Sequence, residues 1–433
     1  MITTKNGFRY VLVENHDQPY IKLQAIFLAG SYLDPKGMEG TAGLTARSLL
    51  RGTSKHDFKQ LTEAFDLLGA NIGSGAGGLY SYVSGGVLSR NIDKFFELMS
   101  EVILEPVFPK KPLEKEKGLM AADILHRQDS DSALVRYFFH RFLYRGATVG
   151  RPAGGTLKTL KNLDTKDCVA FHKKYYTKKN LLFVVAGDIT QKKVEALLDK
   201  YMHTLPMGSE TLFQAKDLPR PKGLQVLLVD KPNRTQTQVR FGTITPGWQH
   251  GDVIPMFVAN TAFGGTFTSI LTTEIRIKRG WSYGVGSVFD LFRERGSVGI
   301  GMFPKVEDTV PAIKLSIELL KKAIHDGLPA KRIESAKEFM SNRFPFSLET
   351  AFKRAGFQAS LFLRGKPSDL QDTYISRVQA VTPKQANKAF ADFVSPDNMA
   401  IVVVGPAKEL EKPLRAMDGV TEFIKIPYDG DLN

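Results

Sequence analysis

The sequence predicts an α+β protein of two homologous domains, an expectation carried by an internal repeat and by the order of its patterned segments. Residues 163–188 (LDTKDCVAFHKKYYTKKNLLFVVAGD) align without gaps with residues 381–406 (VTPKQANKAFADFVSPDNMAIVVVGP), at a shift of 218 residues. Lys166 matches Lys384, Asn180 matches Asn398, Val184-Val185 matches Val402-Val403, and Gly187 matches Gly405. Each copy reads as a capped helix, a turn with Asn, a buried strand and a Gly. The period is too long for a solenoid, so it marks two duplicated domains, over 1–212 and 224–433. Strands come first in each half, helices follow and a strand closes, which suits mixed α+β layers better than a doubly wound α/β sheet.

In the first half, residues 8–14 and 22–29 read as strands. Residues 57–69 read as an amphipathic helix with Asp57 as cap and Phe58, Leu61, Phe65 and Leu68 on its apolar face. Residues 80–88 alternate like a strand, and 92–104 form a helical pattern with Phe95, Phe96, Met99, Val102 and Ile103 apolar. The second half repeats the scheme with a strand at 236–242, a helix over 310–325 that ends near Gly327, and a helix over 332–344. Residues 206–223, with Pro206, Pro219, Pro221, Gly208 and Gly223, read as the linker.

Composition narrows the class. With 42% hydrophobic and 24% charged residues the chain is of the soluble globular type, and no apolar run is long enough to span a membrane. The first residues alternate like a strand and show no signal peptide. The sequence as given therefore reads as cytoplasmic, and as periplasmic if a leader has been removed. Cys168 is the only cysteine, which excludes an internal disulfide and a cysteine zinc cluster. The net charge of +14 comes from scattered lysines without an RNA-binding signature or a recognition-helix motif, so nucleic acid is not an expected partner.

Residues 40–53 read GTAGLTARSLLRGT. This frame resembles the first helix of the insulinase/pitrilysin family of zinc peptidases, the inverzincins, whose signature is His-x-x-Glu-His. Gly43 and Arg47 stand at the two His positions and Ala46 at the Glu position, while the apolar run and the closing Gly52-Thr53 persist. Residues 116–123 (EKGLMAAD) resemble the stretch that supplies the third ligand, a Glu, and put Asp123 there. Zinc needs imidazole, thiolate or carboxylate ligands, and Arg47 would set a fixed positive charge in the cation's place. The expectation is a chain that keeps the fold and binds no metal, with Asp123 either paired to Arg47 or facing water. The resemblance covers nearly the whole chain. It implies that each domain is a mainly antiparallel sheet with helices packed on one face, the two domains forming half of a clam-shell.

In the second half, residues 271–283 (LTTEIRIKRGWSY) resemble the family's segment in which an Arg and a Tyr seven residues on bind substrate near the metal. The pair here is Arg276 and Tyr283, preceded by a Gly-containing loop, 263–269. Guanidinium and phenol are donors able to hold a carbonyl oxygen as it gains negative charge. From spacing alone, a solvated Arg and a core Tyr are the commoner outcome; the resemblance reverses that weighting. Gly280 is expected to end the helix and let a strand carry Tyr283 back toward Arg276.

The resemblance thus implies a non-catalytic subunit of a heterodimeric zinc peptidase, completing the site of a homologous partner that carries His-x-x-Glu-His and the zinc. The substrate would be peptide or unfolded polypeptide, and the isolated chain would be able to self-associate as a homodimer. The alternatives are a structural scaffold of the same fold and a homodimeric peptide-binding protein. Other motifs carry less. None of the eight His has a His or Glu four residues away. The Gly-x-Ser-x-Gly at 280–284 follows a helix and enters a strand, the reverse of a nucleophile elbow. The Gly-rich run at 69–78 lacks the Lys-Ser/Thr of a phosphate loop and falls where the family has its active-site edge strand, able to pair with an extended peptide.

Overall fold

The computed structural model describes residues 1–215, 218 and 220–432. Pro219 of the expected linker lies outside the described residues. The chain forms two compact units, each assembled from three segments. Met1–Leu125, Arg151–Phe213 and Phe346–Leu363 make the first, and His126–Gly150, Gln214–Pro345 and Arg364–Asn433 the second.

The first unit is built on a six-stranded sheet of β1 (Ile2–Thr3), β2 (Arg9–Glu14), β3 (Tyr20–Phe27), β4 (Asn71–Ala76), β5 (Ser81–Leu88) and β6 (Leu181–Gly187), in the order β1-β2-β6-β3-β5-β4. Only the β2–β6 pairing is parallel. β6 is a continuous apolar run because it is covered on both faces. Leu181, Phe183 and Val185 join the main core with Phe27, Phe95, Phe96 and Phe108. Leu182, Val184 and Ala186 alternate to the other face, where Ala355 and Ala359 of the helix Ala351–Arg364 pack on them.

The helices of the main face follow the sequence pattern. Asp57 caps the helix Phe58–Leu67 in a capping box with Gln60, and Leu61 and Phe65 are buried beneath it. Phe58 departs from the expected apolar face: it is 44% exposed and its ring lies 4.6 Å from the guanidinium of Arg51. The helix Ile92–Leu104 is as expected.

The second unit repeats the scheme with β7 (Leu224–Asp230), β8 (Gln238–Pro246), β9 (Ser282–Leu291), β10 (Arg295–Pro304), β11 (Met399–Gly405) and β12 (Val420–Pro427), in the order β12-β7-β11-β8-β10-β9. β7 to β11 take the places of β2 to β6 in chain order. The outer strand differs: β1 is a two-residue antiparallel stub, whereas β12 is eight residues long and parallel to β7. The helix Asp131–Leu143 packs on β8 and β11, so in both units one helix lies on the face away from the main helical layer. The helix Thr309–Asp326 ends at Gly327, whose φ of 80° suits a glycine.

The repeated Asn has a structural reason. The amide oxygen of Asn180 accepts from the Thr211 N–H at 2.7 Å, and that of Asn398 from the Gly223 N–H at 3.0 Å. Each side chain satisfies a backbone donor on a neighbouring stretch just before its strand begins.

Candidate functional site

The helix Thr41–Ser48 carries the positions where a metal centre would be expected. Ala46 is fully buried and, like Gly43, offers no ligand atom. Arg47 donates from Nη2 to Asp123 Oδ2 at 2.7 Å. One turn on, Arg51 donates from Nε to Glu116 Oε1 at 2.7 Å, and the Glu116 side chain is only 4% exposed. Arg47 lies on the helix Thr41–Ser48 and Arg51 four residues on, in the 3-10 turn Leu49–Arg51 that continues it, while Glu116 and Asp123 stand seven apart on the helix Lys110–Asp129, so each arginine faces a carboxylate of that helix. A two-rung ladder of ion pairs therefore occupies the locus. The donor set does not fit zinc: of the expected ligand positions only Asp123 carries a carboxylate, and an arginine already holds it. Among the described residues no group of three His, Cys, Asp or Glu is placed to hold a metal ion. Cys168 offers no substitute chemistry, since burial pushes its thiol up to about 12.

Beside this ladder runs a groove of about 890 Å³, lined by Arg47, Arg51, Phe58, Phe65 and the length of β4. Among the described residues β4 pairs only with β5, which leaves its other edge free. Gly73 faces open space.

The second locus is at the matching edge of the other sheet. A π-helical turn, Thr272–Ile277, is anchored by the fully buried Leu271 and Ile275. Gly280, with φ of 65°, ends it, its N–H donating to Arg276 O at 3.1 Å, and the Trp281 N–H donates to Ile275 O at 3.1 Å. β9 then begins, bringing Tyr283 alongside Arg276. The guanidinium carbon lies 4.6 Å from the Tyr283 ring centroid and 5.3 Å from that of Phe267. Both rings are outside any core, Tyr283 being 78% and Phe267 74% exposed. Glu274 pairs with Lys278 at 2.7 Å and Arg279 at 2.8 Å. Among the described residues nothing accepts a hydrogen bond from the Arg276 guanidinium, so its donors and the Tyr283 phenol remain available. The buried Asn260 braces the edge, donating from Nδ2 to Ser287 O at 3.1 Å.

Sequence reasoning placed Arg276 and Tyr283 together and missed Phe267, the second ring on the guanidinium. Its signal was an aromatic between two threonines in a glycine-containing loop, a poor setting for a core residue.

Two family models match successive parts of the chain: Insulinase (Peptidase family M16) over residues 9–157, and Peptidase M16 inactive domain over residues 162–340. The chain belongs to the insulinase family, M16. Among M16 relatives, the Uncharacterized zinc protease YmxG of Bacillus subtilis is 23% identical over 415 residues, covering 94% of this chain and 98% of that protein. The Non-peptidase homolog YmxG of Helicobacter pylori is 23% identical over 405 residues, covering 92% and 91%. A crystal structure described as a peptidase M16 inactive domain from Pseudomonas fluorescens superposes with a TM-score of 0.86 at 25% identity, covering 94% of this chain and 97% of that one. No described helix is long and apolar enough to cross a membrane.

Proposed function

We propose that this chain is the non-catalytic subunit of a two-chain zinc peptidase. It lends Arg276 and Tyr283 to substrate held at the zinc of a homologous partner carrying His-x-x-Glu-His. The observation that carries the reading is the contrast between the two loci. One half has exchanged its ligand positions for an ion-pair ladder, whereas the other presents a half-buried, uncompensated Arg276 against two exposed aromatic rings. The relatives' names divide between zinc protease and non-peptidase, and the residues of this chain side with the second.

The chemistry follows from the donors. Attack on a peptide carbonyl moves negative charge onto its oxygen, and donors already in place there favour the transition state over the ground state. The aromatic rings hold the guanidinium by cation–π attraction without using its N–H groups. The free edge of β4 offers backbone donors and acceptors to an extended substrate. Metal, water activation and general base all belong to the partner.

The test is to purify the tagged chain from its source cell under mild conditions and identify what accompanies it. The expected companion is an M16 chain with an intact His-x-x-Glu-His. Peptide hydrolysis is expected from the mixture and not from this chain alone. Zinc-dependent hydrolysis by the purified chain alone would contradict the reading, as would a partner chain whose activity this chain leaves unchanged.

A further inference from the structure

A second cavity, of about 510 Å³, lies within the second unit between the helix Asp131–Leu143 and strands β8, β9 and β10. Its walls include Val135, Val288 and Phe303, and its charged groups are Arg136 and Arg240. Arg240, on β8, stands directly opposite Gly301 of β10, which stands opposite Gly286 of β9. A Cβ on Gly301 would meet nothing closer than 4.0 Å, so the floor beside Arg240 is clear.

The Arg240 Nε is buried without an acceptor, and its guanidinium carbon lies 5.4 Å from the Phe139 ring centroid. Burial and the neighbouring Arg136 hold its pKa below the ordinary guanidinium value, with Asp290 and Tyr144 acting the other way. His140 adds no third positive charge, because burial lowers its pKa and favours the neutral ring. The Asp290 carboxylate is engaged by Arg364 at 3.3 Å. Among the described residues, therefore, neither arginine has an ion-pair partner. Two guanidinium groups lining one cavity, one partly desolvated, cost stability that an incoming anion would offset.

We infer that this cavity binds a carboxylate of the peptide substrate, either an Asp or Glu side chain or a C-terminal carboxylate. The inference rests on the peptide-binding reading above and adds a substrate preference to it. Two features favour a peptide carboxylate over a free anion. The apolar wall suits the aliphatic stem of an acidic side chain, with the paired guanidinium groups taking its head. The cavity is also lined by Gly284, Val285 and Gly286 of β9, the residues that follow Tyr283 along the free edge of the sheet.

The test is fluorescence anisotropy on the full chain with three labelled decapeptides. One has an internal Glu and an amidated C-terminus, one has Gln in its place with the same amide, and one is the Gln peptide with a free carboxylate. The wild type is expected to bind at least one carboxylate peptide about tenfold more tightly than the amidated Gln peptide, and which one it prefers identifies the source. Arg240→Gln and Arg136→Gln are expected to abolish that preference while binding of the neutral peptide persists. The charge-matched control Lys115→Gln, on the helix Lys110–Asp129, is expected to retain it. Arg136 is exposed, so its variant reads the site even if Arg240→Gln folds poorly. A wild type without preference, a preference that survives Arg136→Gln, or one lost equally in the lysine control overturns the inference. Arg276→Ala tested in parallel separates the two claims, since it should weaken all three peptides alike.

Discussion

Arg47 and Arg276 carry the same guanidinium in different company. Arg47 is spent on Asp123 in a pair with side-chain exposures of 39% and 58%. Exposed pairs contribute about 0–1 kcal/mol, so Asp123→Ala should change unfolding free energy by no more than that. Glu116→Ala should cost more, about 2–3 kcal/mol, because its carboxylate is buried and its loss leaves Arg51 uncompensated. Urea titration of the two variants checks the order. The same ladder predicts that the dialysed chain retains no stoichiometric zinc. One tightly held zinc per chain by elemental analysis, displaced by Asp123→Ala, would contradict this. Protonation adds a further test at His172, which is largely buried, donates to Ile103 O at 2.8 Å and has its pKa lowered by burial. The folded state then binds fewer protons than the unfolded one. The stability it contributes is present above about pH 6.5 and is lost as pH falls from there through the folded value. Asp34 works in the opposite direction, since burial pushes its carboxyl up to about 7. His172→Gln isolates the histidine and should lose less stability than wild type between pH 7.5 and 5.5; an unchanged pH dependence would refute the assignment. At this scale the sequence was readable wherever chemistry alone decides. Arginine at a ligand position excludes a metal, and Gly280 ends a helix. Phe58 was not readable, because an exposed aromatic that stacks on a guanidinium shares the helical periodicity of a core residue, whereas Phe267 was missed although its loop setting argued against a core.

Elements were legible where periodicity and caps agree, as in Ile92–Leu104 and in the helices capped by Asp164 and Thr382, both of which form capping boxes. What each helix covers was not legible. Asp131–Leu143 and Ala351–Arg364 are helices that the reading of the sequence did not include, and nothing local says which sheet lies beneath them, since that depends on pairings between residues distant in sequence. For Ala351–Arg364 the answer is written in small residues. Ala355 and Ala359, one turn apart and buried, let the helix lie close on Val11, Ile26 and Val184. Ala355→Leu should overpack that layer and cost about 1–3 kcal/mol. A denaturation midpoint equal to wild type would mean that the helix is only loosely applied. The outer strand β12 also escaped the sequence reading, because a polar-interrupted eight-residue run gives little alternation to detect.

At the scale of the whole molecule, duplication gave two sheets of matching order and left each free to specialise. The free edges β4 and β9 occupy equivalent places. Beside β4 lies the ion-pair ladder, and beside β9 the stacked Arg276. On the proposed reading, a composite site shared with another chain accounts for one edge lacking metal ligands while the other presents donors. The claim is tested most directly by steady-state kinetics on the reconstituted pair, with Arg276→Ala and Tyr283→Phe introduced in this chain alone. The account predicts a fall in kcat/KM of roughly 10²–10³ for Arg276→Ala, the usual cost of one well-placed donor at developing charge, with assembly of the pair intact. Tyr283→Phe should lower kcat/KM in the same direction. Unchanged kcat/KM in both variants, with the pair still assembled and active, would contradict it and leave this chain a scaffold.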